Sequence, residues 1–219
     1  MTSTVLLSQP FHVYLHDMFN LISLSIMVPF ILFYCYHTTQ FDQLGAIGDR
    51  ERDFNEIFDL FFILFCTYLL MDSTVIYLFP SCVVTNPQSL LLHHALLLPL
   101  CMIPYFHVQY HWHMMIGLTT EINTFFIVIR RQLPQETISS TLCNILFYLT
   151  WILFKLILFP CLSVLFFVEY ITHSNSTEVS TYMNFTLLAP IIMSALTLLC
   201  YKWTYDLLSN LNTKKKHLN

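Results

Sequence analysis

Several ionisable side chains lie inside stretches of sequence that are otherwise apolar: Asp72, the adjacent pair His93 and His94, Glu121 and Lys155. A charged group within a membrane span costs about 2.5–3.5 kcal/mol on insertion scales, so each is a candidate for a functional role. An imidazole beside a carboxylate is a general base that can deprotonate an amine or hydroxyl attacking a thioester, or can itself accept an acyl group. Alternatively, these groups hydrogen-bond to one another and only hold helices together. The residue pattern leaves both interpretations open.

The composition indicates a membrane protein. Of 219 residues, 56% are hydrophobic and 10% are charged, whereas a water-soluble domain carries about 25% charged residues. The one basic block is Lys214–Lys216, which argues against nucleic acid as a partner because phosphate binding needs clustered Lys and Arg. The seven cysteines are scattered singly, as apolar filler in helices would be.

Six apolar runs of span length predict an all-α, polytopic integral membrane protein. The third and fourth runs are nearly continuous, and we expect the chain to reverse at Pro104–His107. Asn86 and Pro87 form a start signal for the third helix. The six predicted spans are Phe19–Tyr36, Ile57–Phe79, Gln88–Phe106, Val108–Val128, Thr141–Val168 and Met183–Trp203.

The predicted organisation is a cytosolic N-terminal segment (1–18), a six-helix transmembrane domain (19–205) and a basic cytosolic tail (206–219). Orientation follows from Lys and Arg in the short loops. The side that holds both termini carries Arg130, Arg131, Lys202 and the terminal lysines, whereas the other carries Arg50 and Arg52 among acidic residues. Both termini are therefore expected in the cytosol.

Counting at 1.5 Å per residue places Asp72, His93, His94 and Glu121 about 8–10 Å below the cytosolic ends of their spans. The spacing therefore predicts one polar layer formed by three antiparallel helices. Adjacent histidines point about 100° apart, so we expect one ring to face a cavity and the other to be held by a neighbour. The same counting places Lys155 deeper than the histidines and outside the reaction, paired with a carboxylate or reaching toward headgroups.

The run from the second to the fifth helix resembles the TLC-domain family of multi-pass membrane proteins, over about residues 55–205. The resemblance rests on the order and spacing of four pieces. These are YLLMDSTVIY around Asp72, LLLHHALLL with His93 and His94, LTTEINTFFIVIRRQL around Glu121, and NILFYLTWILFKLILFP around Lys155.

This resemblance implies a helical bundle of the endoplasmic reticulum that handles lipids. In the ceramide synthases of this family the double histidine is catalytic in acyl transfer from coenzyme A to a sphingoid base, which marks His93 and His94 as catalytic candidates. Those enzymes have an aspartate-rich motif on the next helix, where this chain has Thr119–Thr124. The departure makes the chain more similar to the family's smaller lipid-homeostasis branch.

Two functions therefore stand as hypotheses. The first is a lipid acyltransferase, with His93 or His94 as base, Asp72 or Glu121 as its orienting carboxylate, and acyl-CoA as co-substrate. The second is a non-enzymatic lipid-binding protein or cargo receptor in which the polar layer is structural. Both take membrane lipids as partners and leave self-association open. Neither needs a bound cofactor or a metal, and we interpret two sets of spaced histidines, His12 with His16 and His107 with His111 and His113, as interfacial residues.

Overall fold

The computed structural model describes residues 10–41, 49–83, 86–106, 110–134, 137–174 and 182–216. Six helical stretches among them are long and apolar enough to cross a membrane, which confirms an all-α polytopic membrane protein. These spans are Phe11–Tyr36, Glu56–Leu78, Pro87–Phe106, His111–Gln132, Ile138–Thr172 and Leu187–Ser209. The elements are α1 (Phe11–Phe41), α2 (Asp49–Leu78), a 3-10 turn (Pro80–Cys82), α3 (Pro87–Phe106), α4 (His111–Leu118), α5 (Glu121–Gln132), α6 (Ile138–Thr150), a π-helical segment (Trp151–Leu158), α7 (Phe159–Ser174) and α8 (Tyr182–Lys216).

The two terminal helices are longer than predicted. Helix α1 begins at Phe11, eight residues before the predicted span, so His16 and Asp17 lie on the helix. The predicted span left these turns out because His12, His16 and Asp17 interrupt their apolar residues. Helix α8 likewise continues to Lys216, through most of the predicted tail. Residues 1–9 and 217–219, at the outer ends of the predicted terminal segments, lie outside the described part of the chain.

The junctions around α3 agree with the sequence signals. The backbone N–H of Gln88 donates to the side-chain oxygen of Asn86 at 3.0 Å, so Asn86 caps the helix that begins at Pro87. A reversal between the third and fourth spans is confirmed, but it lies later than the predicted Pro104–His107, because α3 includes Pro104 and ends at Phe106 while α4 begins at His111. His107, in the predicted turn, lies outside the described residues.

The six spans pack as a closed ring in the order first, second, third, sixth, fifth and fourth. Helix α1 packs on α2, α2 on α3, and α3 on α8; α8 packs on α7, α6 on α5, and α5 returns to α1. Aromatic and aliphatic side chains fill the ring, among them the fully buried Phe58, Phe65 and Leu196. The third, fourth, fifth and sixth spans also pack on one another, so these four spans surround the same part of the interior.

Two of the spans are irregular beside a buried ionisable residue. The fourth tightens between α4 and α5, where the N–H of Thr120 bonds to the carbonyl of Gly117 at 3.2 Å, three residues back. Glu121 follows this turn at once. The fifth widens into the π-helical segment, which contains Lys155 and ends just before Pro160, a residue with no backbone N–H to donate. π-Helical turns are frequent at functional sites.

Asn123 joins these two irregular spans. Its side chain is fully buried, and its amide donates to the carbonyl of Phe147 at 2.9 Å and to the hydroxyl of Thr150 at 3.0 Å. Both acceptors lie in the last turn of α6, directly before the π-helical segment. Asn123 therefore fixes the register between the span that carries Glu121 and the span that carries Lys155.

Replacing Asn123 with Ala should lower the free energy of unfolding by about 1–2 kcal/mol, since interhelical hydrogen bonds in membranes contribute about 0.6 kcal/mol each and at most about 1.7. Denaturant titration of the purified protein in mixed micelles measures the change. Thr172→Val is the matched control, because the Thr172 hydroxyl is exposed and bonds only to the carbonyl of Val168 on its own helix. Equal stabilities of the two variants would contradict the role given to Asn123.

Candidate functional site

The buried carboxylate of Asp72 lies where the first three spans meet. It is 3% exposed, and its Oδ1 accepts from Nε2 of His16 at 2.8 Å and from the amide of Asn20 at 3.1 Å. Tyr68, one turn earlier on α2, donates to the side-chain oxygen of Asn20 at 2.7 Å. The pair His16 and Asn20 on α1 thus bonds to the pair Tyr68 and Asp72 on α2. The two residues of each pair are four positions apart, so they lie on the same face of their helix.

The two adjacent histidines have different surroundings. Nδ1 of His94 lies 3.0 Å from Oγ of Ser73, and its Nε2 lies 3.6 Å from Oδ2 of Asp72. His93 instead presents its ring to the edge of Trp203, with the centroids 5.4 Å apart, and its buried Nδ1 has no hydrogen-bond partner in the described part of the chain. His94 is therefore held by its neighbours, whereas Nδ1 of His93 is free. This difference agrees with the prediction that adjacent histidines on a helix point in different directions.

Lys155 and His93 lie near the same tryptophan ring, whereas the sequence placed Lys155 deeper than the histidines. The ring of Trp203 is shared: its centroid is 6.0 Å from Nζ of Lys155 and 5.4 Å from the ring of His93. Counting residues along the fifth span, which is 35 residues long, could not reveal this contact, because position along one helix does not show which side chains of other helices lie nearby. Nζ also lies 5.4 Å from the ring centroid of Phe159, and among the described residues no carboxylate comes within 4 Å of it.

Glu121 belongs to the same group but does not bind a histidine directly. Its carboxylate is buried and lies within electrostatic range of Lys155 and Asp72. Of the two carboxylates that the sequence offered as orienting groups, Asp72 has the geometry for it. We refer to Asp72, His93, His94, Glu121 and Lys155 as the polar cluster.

Sequence reasoning missed the contribution of the first helix. His16 is not an interfacial histidine, since it is 4% exposed and bonds to Asp72, while His12 binds Ser81 at 2.8 Å. A signal was available: His16 with Asn20, and Tyr68 with Asp72, are polar pairs at helical spacing in consecutive helices. This spacing signal was overlooked because the predicted first span begins at Phe19, after His16.

A third buried carboxylate, that of Asp17, joins the start of α1 to the end of α5. The side chain of Asp17 is 0% exposed, forms an ion pair with Arg131, and accepts from the amide of Gln132 at 2.9 Å. The sequence used Arg131 only as an orientation signal, and the structure adds an ion-pair partner. The adjacent Arg130 lies over the ring of Phe147 at 5.3 Å.

An apolar cavity lies next to the polar cluster. It is a narrow cleft between helices, and part of it is open to the surroundings. The cavity is lined by residues of α3, α4, α7 and α8, chiefly Leu97, Leu118, Leu162, Phe166, Met193 and Leu196. These side chains offer a surface suited to a hydrocarbon chain.

Cavity and cluster are one helical turn apart on three helices. Leu97 follows His93 by four residues, Gly117 precedes Glu121 by four, and Phe159 follows Lys155 by four, and all three line the cavity. Four residues of helix rise about 6 Å. Because these spans alternate in direction, every step leads the same way, from the polar cluster into the cavity.

The far end of the cavity carries a further polar pair. His113 lines it, and its Nε2 lies 3.0 Å from Oε1 of Glu169. His111 stacks on Phe58 at a centroid distance of 3.5 Å. Within the described ranges no group of three or more His, Cys, Asp or Glu side chains is placed to hold a metal ion.

Comparisons of the chain with family models, with curated proteins and with solved structures find no match. The class is therefore defined by the fold and the site: a polytopic α-helical membrane protein whose interior holds a polar cluster above an apolar cavity. The resemblance to TLC domains stays a prediction that rests on the four sequence pieces.

Replacing Arg131 with Met should destabilise the protein by about 3 kcal/mol, because it leaves the buried carboxylate of Asp17 without its cation. The double variant Asp17→Leu/Arg131→Met removes both charges and should recover part of that loss. Thermal unfolding in detergent, monitored by tryptophan fluorescence, gives the comparison. A double variant no more stable than Arg131→Met would argue against the ion pair.

Proposed function

We propose that this protein acts in membrane lipid metabolism or homeostasis by binding a single-chain amphiphile, with the chain in the apolar cavity and the polar end at the polar cluster. The observation that carries the proposal is the one-turn step from cluster to cavity on three helices. A ligand with a charged or carbonyl end and a hydrocarbon tail matches that arrangement. Membrane lipids and acyl thioesters are ligands of this kind.

The chemistry best suited to the cluster is acyl transfer from a thioester such as acyl-CoA to an amine or hydroxyl. A ring nitrogen of the adjacent histidines, Nδ1 of His93 or Nδ1 of His94, can take the proton of the attacking group. His94 is oriented by Asp72, and such a carboxylate also stabilises the imidazolium that forms. The buried cation of Lys155 would stabilise the oxyanion at the carbonyl under attack. The proposal requires no bound cofactor.

The resemblance to TLC domains implies a location in the endoplasmic reticulum membrane, and the loop charges support an orientation with both termini in the cytosol. In that orientation the cluster lies near the cytosolic surface, because Arg130 and Arg131 end the span that carries Glu121. The thioester headgroup could then remain in water while its chain enters the bundle. Membrane lipids would supply the acceptor.

A second candidate is a non-enzymatic lipid-binding or cargo-receptor protein. The observation that favours it is the set of bonds from His16 and Asn20 to Asp72, which makes this carboxylate an interhelical lock. In this case the polar cluster holds the spans around a lipid, and no bond in the lipid changes.

The experiment compares the lipids of membranes that express the wild type or His93→Ala/His94→Ala at equal protein levels. We expect one lipid class to rise with the wild type only, because loss of a general base slows such steps by about 10²–10⁴-fold. His12→Ala is the matched control, a histidine outside the cluster that bonds to an exposed serine.

Identical lipid profiles for the wild type and the folded double variant would overturn the enzymatic proposal. If the double variant also lost thermal stability and retained less co-purified lipid, the binding function would replace it.

A further inference from the structure

Three side chains of α2 and α3 stand in the order hydroxyl, imidazole, carboxylate. Oγ of Ser73 lies 3.0 Å from Nδ1 of His94, and Nε2 of the same ring lies 3.6 Å from Oδ2 of Asp72. In acyl-transfer enzymes this constellation activates a serine, and it recurs on unrelated folds because geometry and roles define it. We infer that Ser73 is a nucleophile that carries the acyl group as an ester before its transfer. The inference rests on the acyl-transfer function proposed above.

The protonation required of His94 follows from its neighbours. An ionised carboxylate only accepts hydrogen bonds, so Asp72 favours the proton on Nε2 and leaves the lone pair of Nδ1 facing Ser73. The distance of 3.6 Å is longer than a hydrogen bond, and such contacts are often loose in unliganded structures. Oδ1 of Asp72 is occupied by His16 and Asn20, which leaves Oδ2 for His94.

The hydroxyl of Ser73 has two acceptors and one proton. Oγ is also 2.6 Å from the carbonyl of Leu69, a bond common for serine within a helix. A small rotation about the Cβ–Oγ bond of Ser73 turns the hydroxyl proton away from that carbonyl and toward Nδ1 of His94, while Oγ stays in place. Oγ can then attack a carbonyl carbon as its proton leaves.

Ser73 is better placed than the other nucleophiles near the cluster. It is partly exposed, so an acyl carbonyl can approach it, whereas Cys101 is 2% exposed. The hydroxyl of Ser89 already accepts the indole N–H of Trp203 at 2.8 Å. Burial and the charge of Asp72 raise the pKa of the Cys82 thiol, which disfavours the reactive thiolate.

The two half-reactions balance. In the first, Nδ1 of His94 takes the hydroxyl proton, Oγ bonds to the thioester carbon, the C–S bond breaks, and the departing sulfur receives the proton as a free thiol. In the second, an acceptor amine or hydroxyl gives its proton to Nδ1 of His94 and bonds to the acyl carbon. The bond to Oγ breaks, and Ser73 recovers the proton.

The test incubates purified wild-type protein in detergent with a long-chain acyl-CoA, quenches it in acid, and locates the added mass by peptide mass spectrometry. We expect one acyl group on Ser73, with release of about one equivalent of thiol before turnover. Ser73→Ala should lose both signals. Ser73→Cys should regain the adduct as a thioester that neutral hydroxylamine cleaves.

Thr74→Ala is the matched control, because its hydroxyl is on the next residue, is exposed, and donates to the carbonyl of Leu70 on its own helix; it should keep the adduct. Turnover by Ser73→Ala at the wild-type rate would overturn the inference and leave the proposed function standing. An acyl group on His93 or His94, with none on Ser73, would do the same. Absence of turnover by the wild type with every acceptor lipid supplied would overturn the acyl-transfer function and the inference with it.

Discussion

A buried carboxylate must be compensated in a medium that offers no water, and the arrangement of the first three spans follows from that requirement at Asp72. A polar group without partners in hydrocarbon costs several kcal/mol. One oxygen of Asp72 is satisfied by His16 and Asn20 of the first helix, and the other faces His94 of the third. A single side chain thus fixes three helices. The positions of Ser73, next in sequence, and of the imidazole it contacts are set by the same bonds.

The other half of the site depends on backbone that departs from the α-helix. A tight turn precedes Glu121, a π-helical segment carries Lys155, and Asn123 joins the two spans between them. Irregular backbone at membrane depth is tolerated where it is buried in protein or lines a cavity. Here it places an acidic and a basic side chain within electrostatic range of one another, next to the apolar cavity.

The sequence was sufficient for the spans and for the layer that contains Asp72 and the two histidines, because helix rise is uniform and charges stand out against apolar runs. It was insufficient for Lys155, since position along one helix does not show which side chains of other helices lie nearby. It also missed His16, because the first span was predicted to begin at Phe19, after the charged Asp17. Ser73 could not be singled out, since serine within a helix commonly bonds to its own backbone, and only the fold shows which imidazole it faces.

The most direct test of the account is photo-crosslinking of the purified protein with a fatty acid analogue that carries a diazirine at the end of its chain. The account predicts label on cavity residues such as Leu97 and Met193, and loss of that label in Gly117→Phe, which fills the cavity. Gly117→Ala should keep it, because a Cβ there meets Leu162 at an ordinary contact distance of 3.7 Å. Label confined to outward-facing side chains such as Ile26 and Leu198, unchanged by Gly117→Phe, would contradict a lipid chain in the interior.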